Sequence, residues 1–287
     1  MRLLSLSSQV VLGHVGNSAL ALPLARLGVE LLAVPCVLLS NHPGYGGFAG
    51  APLDSGLLRR VLDGLEAQGL PQELDGLLSG YLGTAENAQL LAERLARWRR
   101  LRPALPYLLD PVLGDATPGG AGRLYVVPEL PALLRRALLP LADWVTPNPF
   151  ELALMAETEI AEGADALVRQ ARALLRGRCQ GVLVTSYAEG ERIGLLLVTP
   201  AGAWSLLAPR LHFELAPNGA GDLLSGLFLV ELLRQGEPLA AARRALARLQ
   251  AVLVETLRQG GRELALLAAQ DSLAIGEEKG IAVRSLG

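Results

Sequence analysis

Short apolar runs alternate with longer stretches of helical periodicity along most of this chain, and that alternation is what most constrains its fold. Runs of strand length lie at Leu3–Leu6, Leu31–Val34, Leu77–Leu78, Tyr107–Leu109, Trp144–Val145 and Val182–Thr185. Helix-like runs lie at Ser18–Leu27, Ser55–Gln68, Ala85–Arg99, Pro131–Leu138 and Ala164–Arg176. Strands alternating with helices predict a mostly parallel sheet covered by helices on both faces. Gly28, Gly69 and Gly177 stand where helix C-caps are expected. After Val184 the pattern changes. Ile193–Val198 and Ala203–Leu207, separated by Thr199-Pro200-Ala201-Gly202, read as a late β-hairpin. Helices at Asp222–Arg234, Leu239–Arg258 and Glu263–Ala274 then close the pattern. The expected class is α/β, with residues 1–276 as a single domain and Glu277–Gly287 as a polar, loose tail. A hydrophobic content of 51% over 287 residues is ample for a sizeable core.

The bulk chemistry narrows function by exclusion. Acidic and basic residues are interspersed, 28 against 26, for a net charge of −2, which argues against a nucleic-acid surface. Cys36 and Cys179 are far apart and read as reduced thiols, the state expected in the cytoplasm. Met1-Arg2-Leu3-Leu4-Ser5-Leu6, with Ala19-Leu20-Ala21 further on, has a faint likeness to a secretory signal. Gln9, His14 and Asn17 interrupt it, so a first strand is the better reading. No apolar run reaches the ~18 residues of a membrane span. A cytoplasmic protein without a membrane or nucleic-acid partner is expected.

The chemistry concentrates at Pro217-Asn218-Gly219-Ala220-Gly221-Asp222, which opens an apolar helical run. A Gly-Ala-Gly turn exposes consecutive backbone N–H groups, and the helix N-terminus adds partial positive charge. Such a nest suits a phosphoryl group in transfer. An acid beside it, Asp222, can take the proton from an attacking hydroxyl. The same residues would also make an ordinary helix start with an acid near the N-cap. Lys279 is the one lysine and no G-x-x-x-x-G-K-[ST] stretch exists, which excludes a P-loop. Polar clusters follow several strands: Ser7-Ser8-Gln9, Ser79-Gly80-Tyr81, Asp110-Pro111, Thr146-Pro147-Asn148 and Thr185-Ser186. Ligands bind beyond the carboxyl ends of strands in open parallel sheets, although each cluster could equally cap a helix.

The Gly219-Ala220-Gly221-Asp222 turn resembles the signature of ribokinase-like small-molecule kinases. Gly13-His14-Val15-Gly16-Asn17-Ser18, Ser40-Asn41-His42, Leu78-Ser79-Gly80-Tyr81-Leu82-Gly83, Asp110-Pro111-Val112-Leu113-Gly114 and Thr146-Pro147-Asn148-Pro149-Phe150-Glu151-Leu152 together look like the pyridoxal kinases of that group. The resemblance implies a three-layer ribokinase-like fold and ATP-dependent phosphorylation of the 5′-hydroxymethyl group of pyridoxal. It implies Asp222 as the base and Gly219, Ala220 and Gly221 as the anion hole. Ser8, Pro43, Gly44 and Tyr81 match vitamin-side positions. Asp110, Thr146, Glu151, Thr185 and Ser186 match positions near the ATP phosphates, and Ala208, Pro209, Arg210 and Leu211 match the loop over adenine and ribose. Asp110, Asn148 and Glu151 would hold or orient magnesium, partly through water. The family commonly forms homodimers, and a monovalent cation stays open.

The departures from the family pattern fall on the vitamin side. Pro43 and Gly44 follow Ser40-Asn41-His42 where a threonine is usual, so a hydroxyl and a backbone donor are lost. Leu39 stands where many members have Phe, and Asn218 replaces a usual Thr, Val or Gly. His14 reads as a loop former, His42 as either a loop former or a ligand, and Cys36 as an apolar filler. Two other readings remain: a kinase of another hydroxymethylated heterocycle such as hydroxymethylpyrimidine, and a non-catalytic vitamin B6-binding protein.

Overall fold

The computed structural model describes residues 1–116 and 122–287. Its main sheet has ten strands. In chain order these are β1 (Arg2–Leu12), β2 (Glu30–Asn41), β3 (Gly50–Pro52), β4 (Gly76–Ser79), β5 (Tyr107–Leu109), and then β8 (Trp144–Val145), β9 (Gly181–Glu189), β10 (Arg192–Thr199), β11 (Gly202–Pro209) and β12 (Ala282–Ser285). A separate antiparallel pair joins β6 (Gly114–Ala116) to β7 (Gly122–Leu124). Across the main sheet the order is β12-β11-β10-β9-β8-β5-β4-β1-β2-β3. The six strands from β2 to β9 in that order pair in parallel. Antiparallel strands close both edges.

The helices split between the faces. On one side lie α2 (Ser55–Ala67), α4 (Ala85–Leu101), α6 (Pro149–Ala156) and α7 (Ala164–Leu174). On the other lie α1 (Asn17–Arg26), α8 (Ala220–Gln235), α9 (Pro238–Arg258) and α10 (Gln270–Ile275). Two short helices, α3 (Leu70–Glu73) and α5 (Leu130–Leu133), complete the set among the described residues. Neighbours along each central strand feed opposite cores: Leu77 against Leu78, Leu109 against Leu108, Val145 against Trp144. Period-two side chains on a sheet covered twice leave no polar face, hence the unbroken apolar runs. The ribokinase-like three-layer α/β class expected from the sequence is the one observed.

Three expectations need correction. The tail was expected to be loose, but Ala282–Ser285 pairs antiparallel with β11 and forms the sheet edge. Its alternation is too short to read, and the β11 edge supplies its hydrogen bonds. A helix expected over Glu263–Ala274 shrinks to α10, because Thr256 holds the preceding chain back: its Oγ1 accepts the Ala265 N–H at 2.9 Å. Ser7-Ser8-Gln9 and Thr185-Ser186 lie inside long strands rather than beyond their ends. Both places are irregular. The β1–β2 register slips between Ser7 and Ser8, and Ser186 takes a left-handed φ of 56° where β9 bulges against β10. A bulge re-aims side chains as a strand end would.

Candidate active site

Gly219 caps α8 with φ 85°, and a Cβ there would collide with the His14 carbonyl. Only glycine fits this close approach. The turn therefore seats the first residues of α8, Ala220, Gly221 and Asp222, against the turn after β1. A Cβ on Gly221 would meet nothing within 4 Å, so the helix N-terminus faces open space. The N-terminal N–H groups of this 16-residue helix have no partners within the helix, and they are the donors an anion would use.

Asp222 is partly buried, and loss of water pushes its carboxyl up to about 6, against which the N–H groups of Gly16 and of Asp222 itself work. A Cβ at Gly80 would lie 3.6 Å from an Asp222 oxygen and 2.5 Å from Ser7 Oγ. The same Ser7 Oγ accepts the Tyr81 N–H at 3.2 Å. Gly16 packs directly on Ser8, and a Cβ at Gly44 would be 2.9 Å from Asn218 Nδ2. Contacts through Ser7, Gly16 and Asn218 thus bring Ser8, Tyr81, Gly44 and Asp222 into one neighbourhood. Pro43 begins a 3₁₀ turn, Pro43–Tyr45, in the same loop. Burial also raises the Tyr81 phenol, so its ring is half-enclosed.

A second set of groups lies beyond the ends of β5 and β8. Asp110 is buried, and its carboxyl is held well above the usual range by burial first and then by the charges of Glu151 and Asp222. Ser225 Oγ donates to Asp110 Oδ2 at 2.9 Å and lies 2.8 Å from Thr146 Oγ1. Ser225 sits three residues after Asp222, on the same face of α8; that spacing is a signal the sequence reading passed over. The Thr185 N–H donates to the Pro147 carbonyl at 2.8 Å, which ties β9 to this loop.

Glu151 and Asn148 are more committed than expected. They form a capping box at the start of α6. Glu151 accepts N–H groups from Leu113 at 2.8 Å and Asn148 at 3.0 Å, with a longer contact from Gly114 at 3.5 Å. Burial pushes it up to about 7 in spite of them. Asn148 Oδ1 accepts the Glu151 N–H at 2.9 Å, while its amide donates to Gly114 O and Asp115 Oδ1, both at 2.8 Å. Among the described residues no three His, Cys, Asp or Glu side chains form a ready metal cluster. The donor set still fits a hydrated divalent cation, since the charges of Glu151 and Asp222 both bear on buried Asp110. The segment expected over adenine is partly strand: Ala208 and Pro209 end β11, and Ala208 is buried in the core. Only Arg210 and Leu211 lie beyond it, with the Arg210 N–H on Glu191 O at 3.0 Å.

His42 is buried, with its Nε2 2.6 Å from Glu263 Oε1. Cys36 is also buried, and burial pushes its thiol up to about 12, which fits an inert filler.

A helix N-terminus aimed at open space, an acid on its first turn and a buried acid beyond the end of β5 fit a small-molecule kinase of the ribokinase-like class. The family model for phosphomethylpyrimidine kinase matches residues 73–265. Pyridoxal kinase PdxY of Deinococcus radiodurans is 39% identical over 277 residues, covering 93% of this chain and 91% of that protein. Its counterpart from Leifsonia xyli is 38% identical, covering 96% of each. Among solved structures, pyridoxal kinase from Entamoeba histolytica superposes with a TM-score of 0.89 at 26% identity over 99% of both chains. The Leishmania donovani enzyme in complex with ADP and pyridoxine gives 0.89 at 25% identity, over 100% of this chain and 99% of that one. The chain belongs to the pyridoxal kinase family.

Proposed function

We propose that this chain transfers a phosphoryl group from ATP to the 5′-hydroxymethyl group of pyridoxal. The observation that carries the reading is the pairing of Asp222, pushed up to about 6, with the open N-terminus of α8. A carboxylate of that pKa is ionised at neutral pH and is a stronger base than an ordinary aspartate. In this reading Asp222 accepts the proton of the attacking hydroxyl. The N–H groups of Gly219, Ala220 and Gly221 face the charge that develops on the transferring phosphoryl. Ser8, Tyr81 and the Pro43–Gly44 turn hold the vitamin ring. Magnesium, held by Asp110 and through water by Glu151, would neutralise phosphate charge. Thr146, Thr185, Ser186 and Arg210–Leu211 complete the nucleotide side.

A homodimer in the cytoplasm is part of the same proposal. No helix among the described residues is long and apolar enough to cross a membrane. On one face of the β1–β2 pair Val11 is 82% exposed and Leu38 is also exposed, apolar surface that a second copy would cover. Light scattering on the purified protein reads the assembly state directly, and a monomer would remove this part.

The activity is tested with purified protein, ATP and magnesium against pyridoxal, pyridoxine, pyridoxamine and hydroxymethylpyrimidine. Phosphorylation of pyridoxal is expected. Turnover of hydroxymethylpyrimidine alone would keep the kinase and replace the substrate. Binding of pyridoxal without turnover of any compound would favour a reservoir protein.

A further inference from the structure

Glu263 lies in the chain between α9 and α10, where it has no regular secondary structure of its own. Buried Leu264 and Leu266 anchor that segment in the core beside it. Its carboxylate reaches both backbone segments that border the vitamin side of the site. Oε2 accepts the His14 N–H at 2.9 Å. Oε1 lies 2.6 Å from His42 Nε2. His42 Nδ1 accepts the Gly44 N–H at 3.2 Å, so the proton sits on Nε2 and is donated to Glu263. The Tyr45 phenol stands beside Glu263, and the Arg262 guanidinium stacks 4.2 Å from the Tyr45 ring centroid. One carboxylate therefore clamps the turn that contacts Gly219 and the loop that meets Asn218.

We infer that Glu263, acting through His42, is a positioning residue for the vitamin: it sets the distance between the Pro43–Tyr45 turn and the anion-hole turn at Gly219. This rests on the pyridoxal kinase reading of the site. The usual threonine is absent here, so the Pro43–Gly44 turn offers the ring little beyond its backbone position. That position is held from behind, by the charged chain Glu263–His42–Gly44. Burial alone would raise the Glu263 carboxyl; His42, the Tyr45 phenol and the His14 N–H outweigh it and keep the group charged. The Asp110 side of the site is held by different contacts, to Ser225, so nucleotide binding is independent of the clamp.

The test is steady-state kinetics of Glu263→Gln, His42→Asn and the double variant, with thermal melts of each. Asn keeps an acceptor near the Nδ1 position and loses the reach to Glu263. Each single variant is expected to raise KM for pyridoxal about 3- to 10-fold, the range of one lost hydrogen bond. The kcat and the KM for ATP should stay within about twofold. The double variant should be no worse than the worse single, since both break one chain. An unchanged KM for pyridoxal, additive effects, or a KM for ATP rising in parallel would overturn the inference. So would loss of folded protein in both singles, which would make the clamp purely structural. Wild-type turnover of pyridoxal is measured first: its absence refutes the activity reading, whereas its presence with normal variants refutes only the clamp.

Discussion

Asp222 answers two opposed demands. It must be ionised to take a proton, yet it stands where water is partly excluded, and its pKa rises from 3.8 to about 6 as a result. The kcat/KM profile should accordingly lose activity on the acid side with a midpoint near pH 6. Asp222→Asn keeps the shape and removes the base, so turnover should fall about 10²–10⁴-fold while binding changes little. Near-normal turnover would exclude Asp222 as the base. The substitution also has a stability consequence. The folded protein holds this proton more tightly than the unfolded chain, so the parent loses stability as pH rises from about 4 to about 6, and the loss is complete above that. Asp222→Asn should therefore be more stable than the parent at pH 8, by on the order of 3 kcal/mol, and indistinguishable from it below pH 4. Urea melts at both pH values measure this. Pro43 belongs to the same scale. It begins a turn whose Gly44 N–H donates to His42 Nδ1, and it supplies no hydroxyl to a ring. Pro43→Thr should lower KM for pyridoxal with little change in kcat, by the ~2- to 10-fold of one added hydrogen bond. A KM unchanged by the threonine would place the ring away from this turn.

At the scale of elements, α6 shows a residue with two tasks. Glu151 was expected as a metal-orienting acid, and its charge does bear on Asp110. It also closes the capping box and takes N–H groups from the turn after β5. Both carboxyl oxygens of Glu151 accept backbone N–H groups, and Glu151→Gln turns an amide NH2 toward one of those donors, leaving it without an acceptor. We expect a loss of about 1–2 kcal/mol in stability, together with a raised magnesium requirement. Thermal melts and a magnesium titration separate the two effects. A stability loss with an unchanged titration would leave Glu151 as a cap alone. The helix α8 shows the opposite economy: Gly219, Asp222 and Ser225 lie within its cap and first two turns, so a single element presents anion donors, base and the partner of Asp110.

At the scale of the molecule, the two cores meet the ends of the sheet through buried charge. Asp143, before β8, accepts the Tyr107 N–H at 2.8 Å, bonds to buried Arg99 and pairs with Arg178 at 3.1 Å. Arg99 also donates to the Leu105 carbonyl at 3.0 Å, and burial lowers its pKa. Asp143→Ala would leave Arg99 buried without its counter-ion, at a cost of about 3–5 kcal/mol. Denaturant melts should show a lower midpoint with an unchanged slope, and catalysis per folded molecule should be unaltered because this cluster lies away from the carboxyl ends of the strands. A loss under 1 kcal/mol would mean that water reaches Arg99.

Local information carried much of this. The doubly covered strands were legible because their apolar runs reflect a sheet buried on both faces, as at Leu77–Leu78 and Leu108–Leu109. The Gly219–Asp222 turn was legible as the start of α8, because small residues ahead of an apolar run mark a helix N-terminus, and Gly219 does cap it. Asp110 and Thr146 were legible as polar residues just beyond strand ends. What the sequence could not reveal depends on pairs distant in the chain. The strand at Ala282–Ser285 exists only because β11 offers an open edge. His42 and Glu263 stand 221 positions apart, and nothing in either neighbourhood marks the other as a partner. The sequence determined the layers and the chemical groups available, since periodicity and residue type are local properties. The tertiary structure decided which of those groups face one another and which carboxylates carry raised pKa values, since proximity and loss of water arise only when the chain closes on itself.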